Sequence, residues 1–342
     1  ANSLPNHSQR RKSASPLSTV TQPTPTYKTQ YENATKATIT KKESPPSSKN
    51  AALTLTAHEP KICYTIRRTK GRHNPMNDYP VRTGSMLYTL VDPNKGHEVA
   101  YNRWYERDHF YAGCLIGPWL FAGKRWVATR ELKDIRFPED STVTSPVDKG
   151  SYLATYWVLE GKHDEHFKWA AEQVWELYAN DRGFPERQHA HTVMFNTPWA
   201  HYRDQNYVPI ELAFDHPYKG LANVFLDRAD NTSEEDLNEF LSATLLPSLL
   251  SEGSPIASCV NWKPIPRNDD IDGNAPMDLG SPTGNDERHM QMFFLEEDPR
   301  TIWSLFKDYA EKINDSGLAT VVLAAPFIPT IVGTDTYTDQ LW

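Results

Sequence analysis

The chain repeats its own pattern. Residues 84–160 can be laid over residues 220–296 at a constant offset of 136. Gly84 falls on Gly220, Leu90 on Leu226, Asn102 on Asn238, Trp104 on Phe240, Trp126 on Trp262, Trp157 on Phe293, and Leu159-Glu160 on Leu295-Glu296. Identities are few, and the matching order of elements carries more weight than any one position. In the first half, Gly84–Val91, Trp119–Arg130, Ser151–Leu159 and Gln188–Phe195 read as strands. His97–Cys114 and Asp164–Tyr178 read as helices, the second with apolar residues at the 3.6 period. The second half answers with strands at Gly220–Asp227, Ile256–Pro264, His289–Leu295 and Leu318–Ala324, and helices at Ser233–Leu250 and Pro299–Ile313. Each half is thus β-α-β-β-α-β, the ferredoxin-like split. A sheet with both helices on one face leaves its other face bare, and two such sheets in one chain can cover each other. The predicted fold class is α+β, with tandem ferredoxin-like units at 83–205 and 218–332 forming an internal pseudo-dimeric α+β barrel.

Charge and composition remove several function classes. Residues 1–50 hold eight Lys/Arg against Glu32 and Glu43, a balance of +6 that leaves −14 for the rest of a chain whose net charge is −8. An acidic body repels phosphate, so a nucleic-acid partner is not expected. Residues 1–60 are basic, rich in Ser, Thr and Pro and poor in large apolar side chains, which predicts a disordered tail. That makeup also loosely suits an organelle transit peptide; the location expected otherwise is cytoplasmic. The longest apolar stretch, Leu318–Ile328, falls well short of the roughly 20 residues a membrane span needs. Cys63, Cys114 and Cys259 are an odd set with no C-x-x-C, which argues against a disulfide framework or a cysteine zinc site. The glycine patterns of dinucleotide and P-loop sites are missing, as is G-x-S-x-G, so neither a dinucleotide nor ATP is expected as a cofactor and no lipase-type hydrolase is predicted.

The first helix carries Tyr101-Asn102-Arg103-Trp104-Tyr105-Glu106-Arg107-Asp108-His109-Phe110. This resembles the N-x-W-Y-x-x-x-H helix of EthD-like proteins in the dimeric α+β barrel superfamily. In those relatives the His is commonly followed by x-Pro. Here Tyr111 stands at that position, whereas the second half keeps the proline, Pro247, and has Leu245 in place of the His. The resemblance spans roughly residues 83–330. It implies a cofactor-independent enzyme of cyclase, decarboxylase or isomerase type, acting on a hydrophobic aromatic or polyketide-like small molecule. A non-catalytic small-molecule binding protein and a monooxygenase of the same superfamily are the alternatives, and a homodimer is compatible with each.

Tyr105 and His109 lie i,i+4 on one helical face and are the predicted catalytic pair. An imidazole of ordinary pKa, about 6.5, suits proton transfer near neutrality, although a His that merely packs on the sheet is the plainer reading. Seven of the ten Trp lie in the first half. Trp104, Tyr88, Tyr101, Trp126 and Tyr156 are therefore expected to line a flat apolar pocket with Tyr hydroxyls at its rim. His189-Ala190-His191 on a strand would point both imidazoles the same way, with His201 and Glu186 as further ligands. The ligand set does not close, so a polar strand edge is expected there rather than a metal. His163 and His166 read as solvated. Residues 267–285, with Asp269, Asp270, Asp272 and Asp278, read as a long loop, either a lid or a flexible insertion.

Overall fold

The computed structural model describes residues 81–266, 275–284 and 286–342. The tail predicted over residues 1–60, and Asp269, Asp270 and Asp272 of the predicted loop, lie outside the described residues. The first half runs β1 (Thr83–Pro93), α1 (Glu98–Trp104), β2 (Leu120–Val127), α2 (Arg130–Asp134), β3 (Tyr152–Leu159), α3 (His163–Ala179) and β4 (Arg187–Tyr202). The second runs β5 (Gly220–Arg228), α4 (Glu234–Glu239), α5 (Leu246–Leu249), β6 (Ile256–Ile265), β7 (Arg288–Leu295), α6 (Pro299–Ser316) and β8 (Ala319–Pro329). Helix α1 passes into π-helical turns at Tyr105–His109 and Tyr111–Leu115, and a matching π turn, Phe240–Leu245, joins α4 to α5. The helix signals work as their chemistry suggests. Ser233 caps α4 by accepting from Asp236 N, and α6 starts on an Asp298 cap with Pro299 behind it and stops at left-handed Gly317. Three boundaries differ clearly from expectation. The strand predicted to Arg130 gives way after Val127 to α2, β4 continues past Phe195, through Pro198, to Tyr202, and β8 runs past Ala324 to Pro329.

The eight strands close into one barrel in the order β1-β3-β2-β8-β5-β7-β6-β4, every ladder among the described residues antiparallel. Each half supplies a ferredoxin-like sheet, and the sheets join along β4–β6 and, more briefly, along β2–β8 through Trp126–Pro329 and Val127–Ile328. Closure removes the open sheet edges that an isolated half would present. Side chains alternate across each strand. One face fills the barrel with Tyr88, Trp126, Trp157, Phe195, Phe225, Trp262 and Phe294. Trp157 stacks on Phe214 and Trp262 at centroid distances of 4.0 and 5.1 Å, so the interior is a packed core and not a channel. The other face takes the helices. Among the described residues no helix is long and apolar enough to cross a membrane.

The offset of 136 holds for the helices and for Trp126 on Trp262, but it slips on other strands. Trp157 points into the barrel, whereas Phe293 packs on Phe306 and Tyr309 at the helix face. The ladders give the true correspondence. A β-bulge between Leu90 and Val91 in the β1–β4 pair recurs between Phe225 and Leu226 in the β5–β8 pair. Aligned on that bulge, Tyr156 corresponds to Phe293, His189 to Val321 and Arg187 to Ala319. A slip of one residue exchanges the two faces of a strand, which is why the sequence alignment misassigned them.

Candidate functional site

The motif helix packs its π turns on β2 and β3, where Gly123 leaves room for Phe110, Leu115 and Tyr156. A π turn hydrogen-bonds i to i+5, and here the residues five apart stack: His109 lies on Trp104 with centroids 4.5 Å apart and planes 16° from parallel. Tyr105, four residues away, meets His109 edge-on at 5.3 Å. Gly113 on the next turn is required by this packing, since a Cβ there would sit 2.8 Å from His109 Nδ1 and Cε1. Beneath the imidazole, the Tyr105 and Tyr156 hydroxyls share a buried hydrogen bond of 2.8 Å, and the Cys114 thiol bonds to Tyr156. Burial raises both phenols far above their ordinary range and pushes the Cys114 thiol up to about 12. All three are therefore neutral hydrogen-bonding groups at physiological pH.

Behind the tyrosines an ion pair anchors the helix to the sheet. Arg125 lies 3.1 Å from Glu106, both nearly enclosed, and its Nη1 donates to Asn102 Oδ1 at 2.9 Å. Its guanidinium also sits over the rings of Tyr105 and Tyr152, at 4.7 and 5.0 Å. Asn102 Nδ2 in turn donates to Thr334 O, and Gly333 N donates to Glu106 Oε2, tying the C-terminal segment to the same helix. The Asn and Trp of the motif thus have distinct jobs: Asn102 holds the helix in place, and Trp104 carries the imidazole.

Strand β4 brings the remaining polar groups. Arg187 lies 4.6 Å over the Trp104 ring and donates from Nη2 to the Tyr178 hydroxyl. His189 Nδ1 is 2.7 Å from Thr192 Oγ1, which is itself 2.7 Å from Thr89 Oγ1. Phe184 stacks on Trp104 at 5.3 Å. Burial, and then the charge of Arg187, pull both His109 and His189 down to about 3, so both rings are neutral at working pH. Asp108, the nearest carboxylate to His109, is engaged by Arg182, whose own carbonyl accepts from Trp104 Nε1. Surface clefts lie elsewhere: one of about 310 Å³ beside Leu245, Leu249 and Tyr309, and one of about 410 Å³ between Asp92, Arg130, Gln188 and Trp342.

Of the residues selected from the sequence, Tyr101, Trp104, Tyr105, His109 and Tyr156 come together on the helix side of the sheet. Tyr88 and Trp126 do not. Both point into the barrel, where Tyr88 meets Asn223 Nδ2 at 3.2 Å and Trp126 Nε1 donates to Thr155 Oγ1. Strand alternation puts them on the face opposite His109. The bulge likewise separates His189, on the helix side, from His191, which meets Tyr88 and Phe225 inside the barrel. His201 lies farther along β4 opposite Cys259, and Glu186 bonds to Asn94. Among the described residues no group of three or more His, Cys, Asp or Glu is arranged to hold a metal ion. His163 and His166 are not solvated as expected: His163 bonds to Ser85 Oγ, and buried His166 to Pro118 O. Sequence reasoning passed over Arg187, Cys114, Phe184 and Arg125. Only Arg187 left a signal, the R-x-H spacing that puts it on the His189 face.

By strand order and closure the chain has the dimeric α+β barrel fold, with both halves in one polypeptide. No family model matches it, and no curated protein does. Solved structures that resemble it include an anthrone oxidase-like protein, 7% identical, covering 75% of this chain and 98% of that one at a TM-score of 0.46. A dye-decolorizing peroxidase from Bacteroides thetaiotaomicron is 10% identical over 76% of this chain and 96% of its own, at 0.40. A dye-decolorizing protein from V. cholerae is 10% identical over 75% and 97%, at 0.37. At such identities no residue or reaction carries over.

Proposed function

We propose that this chain is an EthD-like, cofactor-independent enzyme acting on a flat hydrophobic aromatic ketone or polyketide-like molecule at the His109 cluster. One observation carries the reading. Tyr105, His109, Tyr156, Arg187 and His189 converge in the first half, and the corresponding positions of the second half are Leu241, Leu245, Phe293, Ala319 and Val321, all buried. The same scaffold is therefore stable when these sites are apolar. Burying such side chains contributes about 1.5–3 kcal/mol each for the large ones, a gain the first half forgoes.

The protonation states suggest the chemistry. His109 Nδ1 is enclosed against Gly113 without a hydrogen-bond partner. A buried lone pair without a donor is tolerated better than a buried N–H without an acceptor, which puts the proton on Nε2. A neutral imidazole of low pKa is a poor base but a serviceable N–H donor to a carbonyl oxygen, and such donors stabilise an enolate. The Tyr105–Tyr156 pair has one further hydroxyl proton to give, now shared with the weak acceptor Cys114. Decarboxylation of a β-keto acid fits with the fewest groups. The C–C bonding electrons move onto the carbonyl as carbon dioxide leaves, and the enolate carbon then takes a proton from solvent. Isomerisation and aldol cyclisation share the same enolate.

The test is a panel of aromatic β-keto acids, followed by carbon dioxide release and by deuterium uptake at the α-carbon, with a visible spectrum of the purified protein to detect haem. His109→Ala is expected to lower turnover by about 10²–10⁴-fold and to move the melting temperature by only a few degrees. Unchanged turnover per folded molecule, or a stoichiometric haem absorbance that activity follows, would overturn the proposal.

A further inference from the structure

Three polar atoms of the cluster are enclosed and have no hydrogen-bond partner: Nδ1 of His109, Nε2 of His189 and Nε of Arg187. Such atoms occur elsewhere in the chain, as at Asn261 Oδ1 and Trp262 Nε1, but here two belong to side chains on Trp104 and the third lies on the same strand face as Arg187, two residues away. Arg187 is also unusual in its charge environment. Its hydrogen-bond partner is a phenol, Tyr178, its face is given to Trp104, and among the described residues no ion pair reaches it, the neighbouring acids in sequence being engaged elsewhere. Asp108 pairs with Arg182, and Glu186 bonds to Asn94. The cluster thus holds an uncompensated positive charge with two neutral imidazoles beside it. Both imidazoles are depressed first by burial and then by that charge, which places all three groups within electrostatic reach of one another.

Resting on the proposed function, we infer that Arg187 and His189 hold a carboxylate on the substrate, so that the substrate is a flat aromatic acid whose ring meets the half-buried edges of the stacked Trp104–Phe184 pair. Arg187 offers Nε–H and its remaining Nη hydrogens, the planar fork that matches a carboxylate. The Thr89–Thr192 hydroxyl pair can give His189 Nδ1 either a donor or an acceptor, so Nε2 can take the N–H form an anion requires. The second half supports the assignment by contrast. It keeps the bulge that aims position 189 at the helices and fills positions 187 and 189 with Ala319 and Val321.

The experiment is binding of 1-naphthoate against its neutral isostere 1-naphthamide, followed by tryptophan quenching and calorimetry on the full chain. Wild type is expected to prefer the acid by about tenfold or more. Arg187→Met should abolish the preference, Arg187→Lys should restore part of it, and near-UV circular dichroism checks that each variant is folded. Trp104→Ala should weaken both ligands together. Equal affinity for acid and amide, with both lost in Trp104→Ala, would overturn the carboxylate site and leave the proposed aromatic site at Trp104 standing. Binding of neither, or binding indifferent to Trp104, would overturn that site as well.

Discussion

At the residue scale, the imidazoles of the cluster are kept neutral by their surroundings. Burial, and then the charge of Arg187, pull His109 and His189 down to about 3 in the folded chain, against about 6.5 in an unfolded one. Below pH ~6.5 the unfolded chain therefore binds protons that the folded chain refuses. Stability linked to these rings is complete above that pH and is lost as the pH falls toward about 3. Urea titrations at pH 7.5 and 5 should show it: the stability lost between them should be smaller in a His109→Gln/His189→Gln protein than in wild type, by the linkage of up to about two protons. An equal loss in both proteins would mean that the rings charge freely in the native state. None of this was legible in the sequence. A histidine in N-x-W-Y-x-x-x-H looks like a base of ordinary pKa, and only the stacking on Trp104 and the closeness of Gly113 and Arg187 show otherwise.

At the scale of elements, two irregularities build the site, and neither has a sequence signature. The π turn moves His109 from an i,i+4 relation with Tyr105 to a stacked i,i+5 relation with Trp104. The bulge in β4 turns His189 to the helices and His191 into the barrel. Both recur in the second half, so they belong to the scaffold and not to the chemistry. Periodicity gave the helices and most strands to within a few residues, since apolar spacing and caps act locally. It could not give the faces of β1 and β3, because a shift of one residue inverts them. The contrast between halves yields a prediction for the helix-face position matching His109. Leu245 is 5% exposed within the apolar cluster of the second half. Leu245→Ala should cost about 2–5 kcal/mol of stability in denaturant unfolding and leave turnover per folded molecule unchanged. A selective loss of activity there would shift the chemistry to the second half.

At the scale of the molecule, duplication explains how one chain supports both a rigid barrel and a polar site. The barrel interior is filled by aromatic side chains from both halves, and the helix face of the second half carries an apolar cluster beside the buried polar pairs Tyr309–Gln291 and Asn261–His289. The repeat was visible as matching order, and it correctly implied two ferredoxin-like sheets closing on each other. Leu241 and Leu245 in place of Tyr105 and His109 were legible at the offset of 136, whereas the strand positions were not, and so neither were Phe293, Ala319 and Val321 in place of Tyr156, Arg187 and His189. The central claim is that ligands enter only at the Trp104–His109 cluster. It is tested most directly by the indole N–H signals of the ¹⁵N-labelled protein titrated with 1-acetonaphthone, a flat ketone. The Trp104 signal should move, and those of Trp303 and Trp262 should stay. Movement of Trp303 or Trp262 with Trp104 unmoved, or no movement of any indole, would contradict the account.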